Sequence, residues 1–248
     1  MLTLVNPIPY NGISWTIGWI VVWLFAFKCF RIYRVTRNPL AGMYCSIALL
    51  MGTSFFFFGV PNLFTQDPNT LLKTYYLADL FAQLGILAQS RLLWFIGFKN
   101  KFSWWVIALP TLLWSITILL LETRLLPSHV VVDTGARLVL YIDQAPVLYM
   151  KSMLYAVIAF PISYFFIRQG FTQKVFKAKI NSIAAGLVFL FVSTSSIQNA
   201  LFTNGSDTKQ TCITNAALFL LFQLVSSSFT IYKRLSTKRF QTSSGSRP

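Results

Sequence analysis

The sequence predicts an all-α protein of one domain whose helices cross a membrane seven times. Of its 248 residues, 55% are hydrophobic and only 11% are charged, whereas a soluble domain carries about 25% charged residues. Several apolar runs reach about 20 residues, the length that a helix needs to cross a bilayer. A third observation, the distribution of charge along the chain, indicates the number of crossings and their direction.

Acidic and basic residues are separated in a way that indicates membrane topology. All six acidic residues fall outside or in the outer half of a predicted span. Most of the 21 basic residues lie near the other side of the membrane; the exceptions are Lys73, Arg124, Arg137, Lys151 and Lys209. Because basic segments stay in the cytoplasm, we expect the N-terminus outside and the C-terminus inside. The sequence thus predicts an integral, multi-pass protein of the cell or inner membrane.

The first two spans are predicted at about residues 13–30 and 40–60. Span one carries a tryptophan at every fourth position and is followed by a segment with four bases: Lys28, Arg31, Arg34 and Arg37. Span two contains three glycines, Gly42, Gly52 and Gly59. Small residues of this kind let neighbouring helices approach closely within a membrane.

Span three, at about residues 71–98, holds two charged residues inside its apolar run. Each charge at that depth costs at least about 2.5–3.5 kcal/mol, so each needs a physical reason. Asp79, Gln83 and Ser90 share one helical face, which we expect to point into the bundle. Arg91 lies about 18 Å from Asp79 along the axis, so the two cannot pair. Its side chain is expected to reach the cytoplasmic interface.

Span four is predicted at about residues 104–121, with Pro110 bending it and Glu122 at the outer surface. The connection that follows has β-branched runs on both sides of a turn at 133–135, which predicts a β-hairpin on the outer face. Spans five, six and seven follow at about 146–167, 180–202 and 211–232. Residues 1–235 would form the transmembrane domain, and 236–248 a disordered cytoplasmic tail.

Depth within the spans suggests which polar residues meet. Asp79 lies about 12 Å into span three and Lys151 about 7–9 Å into span five, both from the outer side. We therefore predict an outward-facing polar pocket under the hairpin, lined by Asp79, Gln83, Lys151, Ser195, Gln198, Asn199 and Asn215. The alternative is a satisfied network that holds the helices together and binds no ligand.

Several classes of function are disfavoured by the sequence. It contains no HExxH or GxSxG motif and no paired intramembrane aspartates, and its single histidine is predicted in a loop, so we expect no enzyme and no cofactor. The three cysteines lack CxxC spacing, which disfavours a metal site. The net charge of +15 is explained by topology, so membrane lipids rather than nucleic acids are the expected partners.

The chain resembles the seven-helix N-terminal sensor region of bacterial histidine kinases, here without a kinase domain. The features that carry the resemblance are the basic first loop, a long third span ending in LLWFIGF, and helices rich in aromatic residues. The resemblance implies a role in ligand sensing or scaffolding, with no catalysis. A protein partner at the cytoplasmic face would have to pass on the signal.

Three functions remain open at this stage. The first is a receptor-like or sensor module that binds an unknown ligand in the outer pocket and acts through protein partners at its basic cytoplasmic face. The second is a small transporter or transporter subunit, which is disfavoured because spans one to three and five to seven show no repeat. The third is a structural subunit of a membrane complex, for which Gly42, Gly52 and Gly59 could provide contact faces.

Overall fold

The architecture is helical, with one small β-sheet. The computed structural model describes residues 8–99, 101–135, 137–174, 180, 182–187 and 189–190. Five long helices occupy most of this part of the chain: α1 Tyr10–Thr36, α2 Pro39–Phe64, α3 Pro68–Leu93, α4 Trp105–Leu120 and α5 Ala145–Thr172. Single π-helical turns extend α3 over Trp94–Phe98 and α4 over Leu121–Leu125.

All five helices are long and apolar enough to cross a membrane, which supports an integral, multi-pass protein. The prediction of seven crossings and their orientation stays a prediction, because span seven and most of span six lie outside the described residues. Residues 182–187, at the start of predicted span six, are helical. There the Ser163 hydroxyl of α5 donates a hydrogen bond to the Gly186 carbonyl, at 2.7 Å.

Short polar segments set the starts of α2 and α3. The Asn38 side chain accepts a hydrogen bond from the Leu40 amide at 3.0 Å, and Asp67 does the same for the Thr70 amide at 3.0 Å. A proline occupies the first helical position in each case, where its missing N–H costs nothing. Two tight connections therefore make α2 run antiparallel to both α1 and α3.

The predicted hairpin between α4 and α5 is confirmed. Strands β1 His129–Asp133 and β2 Leu138–Ile142 pair antiparallel. The hairpin is tied to α1 by the Asn11 side chain, which donates to the Val139 carbonyl and accepts from the Val139 amide. It is tied to α2 by Tyr141, whose hydroxyl donates to Asn62 Oδ1 at 2.6 Å. We call this end of the bundle the hairpin end.

The opposite end of the bundle carries most of the described bases, and we call it the basic end. The turn between α1 and α2 lies there, as do the C-terminal parts of α3 and α5. Bases at or near this end are Lys28, Arg31, Arg34, Arg37, Arg91, Lys99, Lys101, Arg168 and Lys174. The described acids all lie in the half of the bundle nearest the hairpin: Asp67, Asp79, Glu122, Asp133 and Asp143.

The hydrophobic core lies where α3, α4 and α5 meet, and α1 packs beside it on α2. Ile86, Ile118 and Ile162 are completely buried in this core. The two helices α1 and α2 approach closely at Gly59, where an added Cβ would lie 2.6 Å from the Thr16 backbone nitrogen. This contact agrees with the expectation that small residues in span two allow close helix packing.

Substitution of Gly59 by alanine should loosen the contact between α1 and α2. The new methyl group would meet backbone atoms of α1, and such overpacking costs about 1–3 kcal/mol. Gly18→Ala is a matched control, because its Cβ would lie 3.4 Å from the Phe55 ring, an ordinary contact. We expect a lower thermal unfolding midpoint in detergent for Gly59→Ala alone. Equal midpoints for the two variants would contradict the observed packing.

Candidate functional site

The most unusual feature of the described chain is a buried lysine surrounded by three carboxylates. Lys151, in the second turn of α5, is only 9% exposed. Its Nζ lies 2.5 Å from Glu122 Oε2, 2.8 Å from Asp143 Oδ2 and 3.3 Å from Asp79 Oδ1. It also donates a hydrogen bond to the Tyr75 hydroxyl at 2.9 Å. We call these five residues the Lys151 cluster.

The cluster joins separate elements of the hairpin end. Tyr75 and Asp79 lie one turn apart on α3, and Glu122 lies in the π-helical turn after α4. Asp143 lies in the short connection between β2 and α5. One ammonium group therefore links α3, the end of α4, the hairpin and α5, so a change at this group can reach all four.

Asp143 is the best-satisfied acid of the cluster. Its Oδ1 accepts hydrogen bonds from Tyr75 at 2.5 Å and from Ser128 at 2.6 Å, while Oδ2 faces Lys151. Burial opposes the charge on Asp143, but the Lys151 ammonium and these hydrogen bonds outweigh burial and hold its pKa below the ordinary value of 3.8. This carboxyl is therefore ionised at neutral pH.

The other two acids have fewer partners. Asp79 receives one long hydrogen bond from Gln83 Nε2, at 3.4 Å. Glu122 is completely buried, and apart from its ion pair with Lys151 no described group donates a hydrogen bond to it. Gln83 Oε1 is likewise buried without a partner in the described part of the chain. The side-chain oxygens of Glu122 and Gln83 Oε1 can thus accept further hydrogen bonds.

The charges of the cluster do not balance. Three carboxyl groups share one ammonium, so ionisation of all three would leave a surplus of negative charge in a site that water hardly reaches, and such a surplus is costly. The arrangement can lower this cost by taking up a positive charge, either a proton or a small cation. Among the residues that the structure describes, no group of three or more His, Cys, Asp and Glu side chains is arranged to hold a metal ion.

Three of the seven predicted site residues lie close together. Asp79, Gln83 and Lys151 are in contact at the hairpin end. Their side chains are buried or nearly buried in the part of the chain that the structure describes. The other four lie outside the described residues: Ser195, Gln198, Asn199 and Asn215. That these residues bind a ligand stays a prediction.

Sequence reasoning missed three members of the cluster. Glu122 was predicted only as a marker of the outer end of span four, and its side chain is buried because it continues the inward face of α4 four residues after Ile118. That spacing was a usable signal. Tyr75, four residues before Asp79, could have been found in the same way. Asp143 lies in a connection without periodicity, and no pattern in the sequence indicates its contact with Lys151.

Comparison with known proteins adds no assignment to this geometry. No known protein family matches the chain, and no curated protein sequence matches it. The functional interpretation therefore depends on the contacts of the described residues.

Removal of the Lys151 ammonium should lower the stability of the protein far more than removal of one carboxylate charge does. Lys151→Met leaves three acids buried together, and breaking a buried ion pair in this way costs about 3–5 kcal/mol. Glu122→Gln keeps the side-chain shape and reduces the surplus charge, so stability should be unchanged or higher. Chemical denaturation in detergent measures both free energies of unfolding.

The double variant tests whether the two residues act through each other. Glu122→Gln should restore part of the stability that Lys151→Met loses, because it reduces the repulsion among the remaining acids. A Lys151→Met protein as stable as the wild type would show that the ammonium does not hold these acids together.

Ionisation of the Asp143 carboxyl should make the stability of the folded protein depend on pH in the acid range. Its pKa is lower in the folded protein than in the unfolded chain, so its stabilisation is present at neutral pH and is lost as the pH falls through the folded-state pKa. Asp143→Asn should therefore unfold at a lower temperature than the wild type at pH 7. The difference between the two should shrink below about pH 4. A difference that stays constant between pH 7 and pH 3 would contradict this assignment.

Proposed function

We propose that the protein is a receptor-like or sensor module of a membrane, in which the Lys151 cluster is the responsive element. The observation that supports this proposal is the placement of three carboxylates, from three separate parts of the chain, on one buried ammonium. Charged residues inside a membrane are costly, and they mark functional sites more often than other residues do.

The proposed signal is a change in the charge balance of the cluster. A ligand that brings a positive charge to Asp79 or Glu122 competes with Lys151 for these carboxylates. The ammonium then holds α3 or the end of α4 less tightly and Asp143, next to the hairpin, more tightly, and the two arrangements differ in their affinity for the ligand. The chemistry of the site thus favours a proton, a small cation or a ligand with an ammonium group.

The proposed orientation places the hairpin end outside and the basic end in the cytoplasm. The concentration of described bases at one end supports it, because Lys and Arg are retained on the cytoplasmic side. In this orientation the ligand arrives from outside and a protein partner binds the basic end. The resemblance to the sensor region of histidine kinases implies the same arrangement, with seven helices in all.

A sensor must transmit a change from one end of the bundle to the other. We expect Glu122→Gln to slow hydrogen exchange in the hairpin, residues 129–142, and to change exchange in residues 101–104 at the basic end. A roughly tenfold change in rate corresponds to about 1.4 kcal/mol in opening free energy. Lys151→Met should speed exchange in the hairpin. Mass spectrometry of protein in lipid nanodiscs measures both segments.

Arg124→Gln is the matched control for this experiment. Arg124 is exposed two residues from Glu122, so its loss alters charge at the same end without entering the cluster. It should leave both segments unchanged. If Glu122→Gln affects the hairpin but not residues 101–104, the sensor proposal is wrong and a structural subunit of a membrane complex becomes the better interpretation.

A small cation transporter is the second candidate, and the surplus of acids over bases in the cluster favours it. Buried carboxylates that exchange protons or cations are typical of coupled transport. Proteoliposomes with an imposed sodium or proton gradient separate the two proposals. Flux that Glu122→Gln abolishes supports transport, whereas a sensor produces no flux.

A further inference from the structure

A cleft lies at the basic end, far from the Lys151 cluster to which the proposed function assigns the ligand. It has a volume of about 380 Å³, within the range of small-molecule sites, about 300–1,000 Å³. Side chains from α1, α2 and α3 and from the turn between α1 and α2 line it, among them Phe30, Tyr33, Arg37, Met43, Ser46 and Arg91. It combines apolar walls with two guanidinium groups.

The two arginines of this cleft lack acidic partners. Among the ion pairs of the described residues, none involves Arg37 or Arg91, and the five described acids lie in the half of the bundle nearest the hairpin. The sixth acid of the sequence, Asp207, lies outside the described residues. Arg91 stacks on Trp104, with its guanidinium carbon 5.7 Å from the ring centre. Both arginines are exposed and can bind an anion from outside the chain.

The local backbone places Arg37 at the edge of this cleft. Arg37 ends α1 in the left-handed conformation, with φ of 53°, a position that glycine or asparagine usually occupies. The chain then enters α2 within two residues, and Pro39 and Gly42 of its first turn also line the cleft. The Leu40 amide of this first turn is already capped by the Asn38 side chain. The two arginines are therefore the positively charged groups of the cleft.

We propose that this cleft binds the phosphate of an anionic phospholipid headgroup, with Arg37 and Arg91 as its ligands. Arginine presents paired N–H donors that match phosphate oxygens. The phospholipid is the favoured source of the phosphate because the cleft lies at the end of membrane-spanning helices and has apolar walls, formed by Phe30 and Met43, that can cover the glycerol and the upper acyl chain. The site is independent of the sensor proposal.

Native mass spectrometry with added phosphatidylglycerol or phosphatidylcholine tests the site. We expect the wild type to retain one phosphatidylglycerol in preference to phosphatidylcholine. The double variant Arg37→Gln/Arg91→Gln should lose this preference by roughly 30-fold, the effect of about 1 kcal/mol for each arginine near the bilayer surface. Arg31→Gln/Arg34→Gln removes the same charge from nearby α1 residues that do not line the cleft, and it should keep the preference.

Two further measurements make the result decisive. Ser46→Phe fills the cleft from an exposed position of α2 without changing charge, and it should also abolish the retained lipid while unfolding at the wild-type temperature. Equal losses in the two arginine double variants would indicate diffuse attraction and overturn the proposal. If soluble glycerol 3-phosphate stabilises the wild type as well as phosphatidylglycerol does, the source of the phosphate is not a lipid and the proposal is wrong.

Discussion

The arrangement of the hairpin end depends on how one buried ammonium is neutralised. Lys151 cannot remain charged among apolar helices unless carboxylates surround it, and the three that do so come from distant parts of the sequence. Each acid in turn requires its own segment to reach α5 at the right depth. The same contact that stabilises the helix packing thus also determines where the hairpin lies, and the two cannot be altered independently.

The helices were predictable from the sequence where local features determine them. The length of the apolar runs indicated the five described helices, and Asn38-Pro39 and Asp67-Pro68 mark the starts of α2 and α3 through side-chain caps. The helix ends were less predictable: α1 was expected to end at about residue 30 but continues to Thr36. Hydropathy identifies only the part of a helix that is apolar enough to contact lipid. Helix α1 continues beyond that part, and its last turns contain Arg31 and Arg34.

The candidate site was predictable only in part, because it combines local and non-local information. Helix rise places Asp79 and Lys151 at similar depths, and the structure has them 3.3 Å apart. To place Glu122 in the cluster, the helical face of α4 was required as well as the depth, because charge alone indicated only the outer end of span four. To predict the position of Asp143, the path of the chain after the hairpin had to be known. That path depends on the hydrogen bonds of β2 to Asn11 and Asn62.

The order of the charged residues along the chain has a consequence for biosynthesis. Asp79, Glu122 and Asp143 all precede Lys151 in the sequence, so during translation the acids emerge from the ribosome before the base that neutralises them. Until α5 enters the bilayer, α3 and the end of α4 must hold their carboxyl groups without it, at a cost of about 2.5–3.5 kcal/mol for an acid at the centre of a span. The three ion pairs of the Lys151 cluster can therefore form only after α5 has been synthesised.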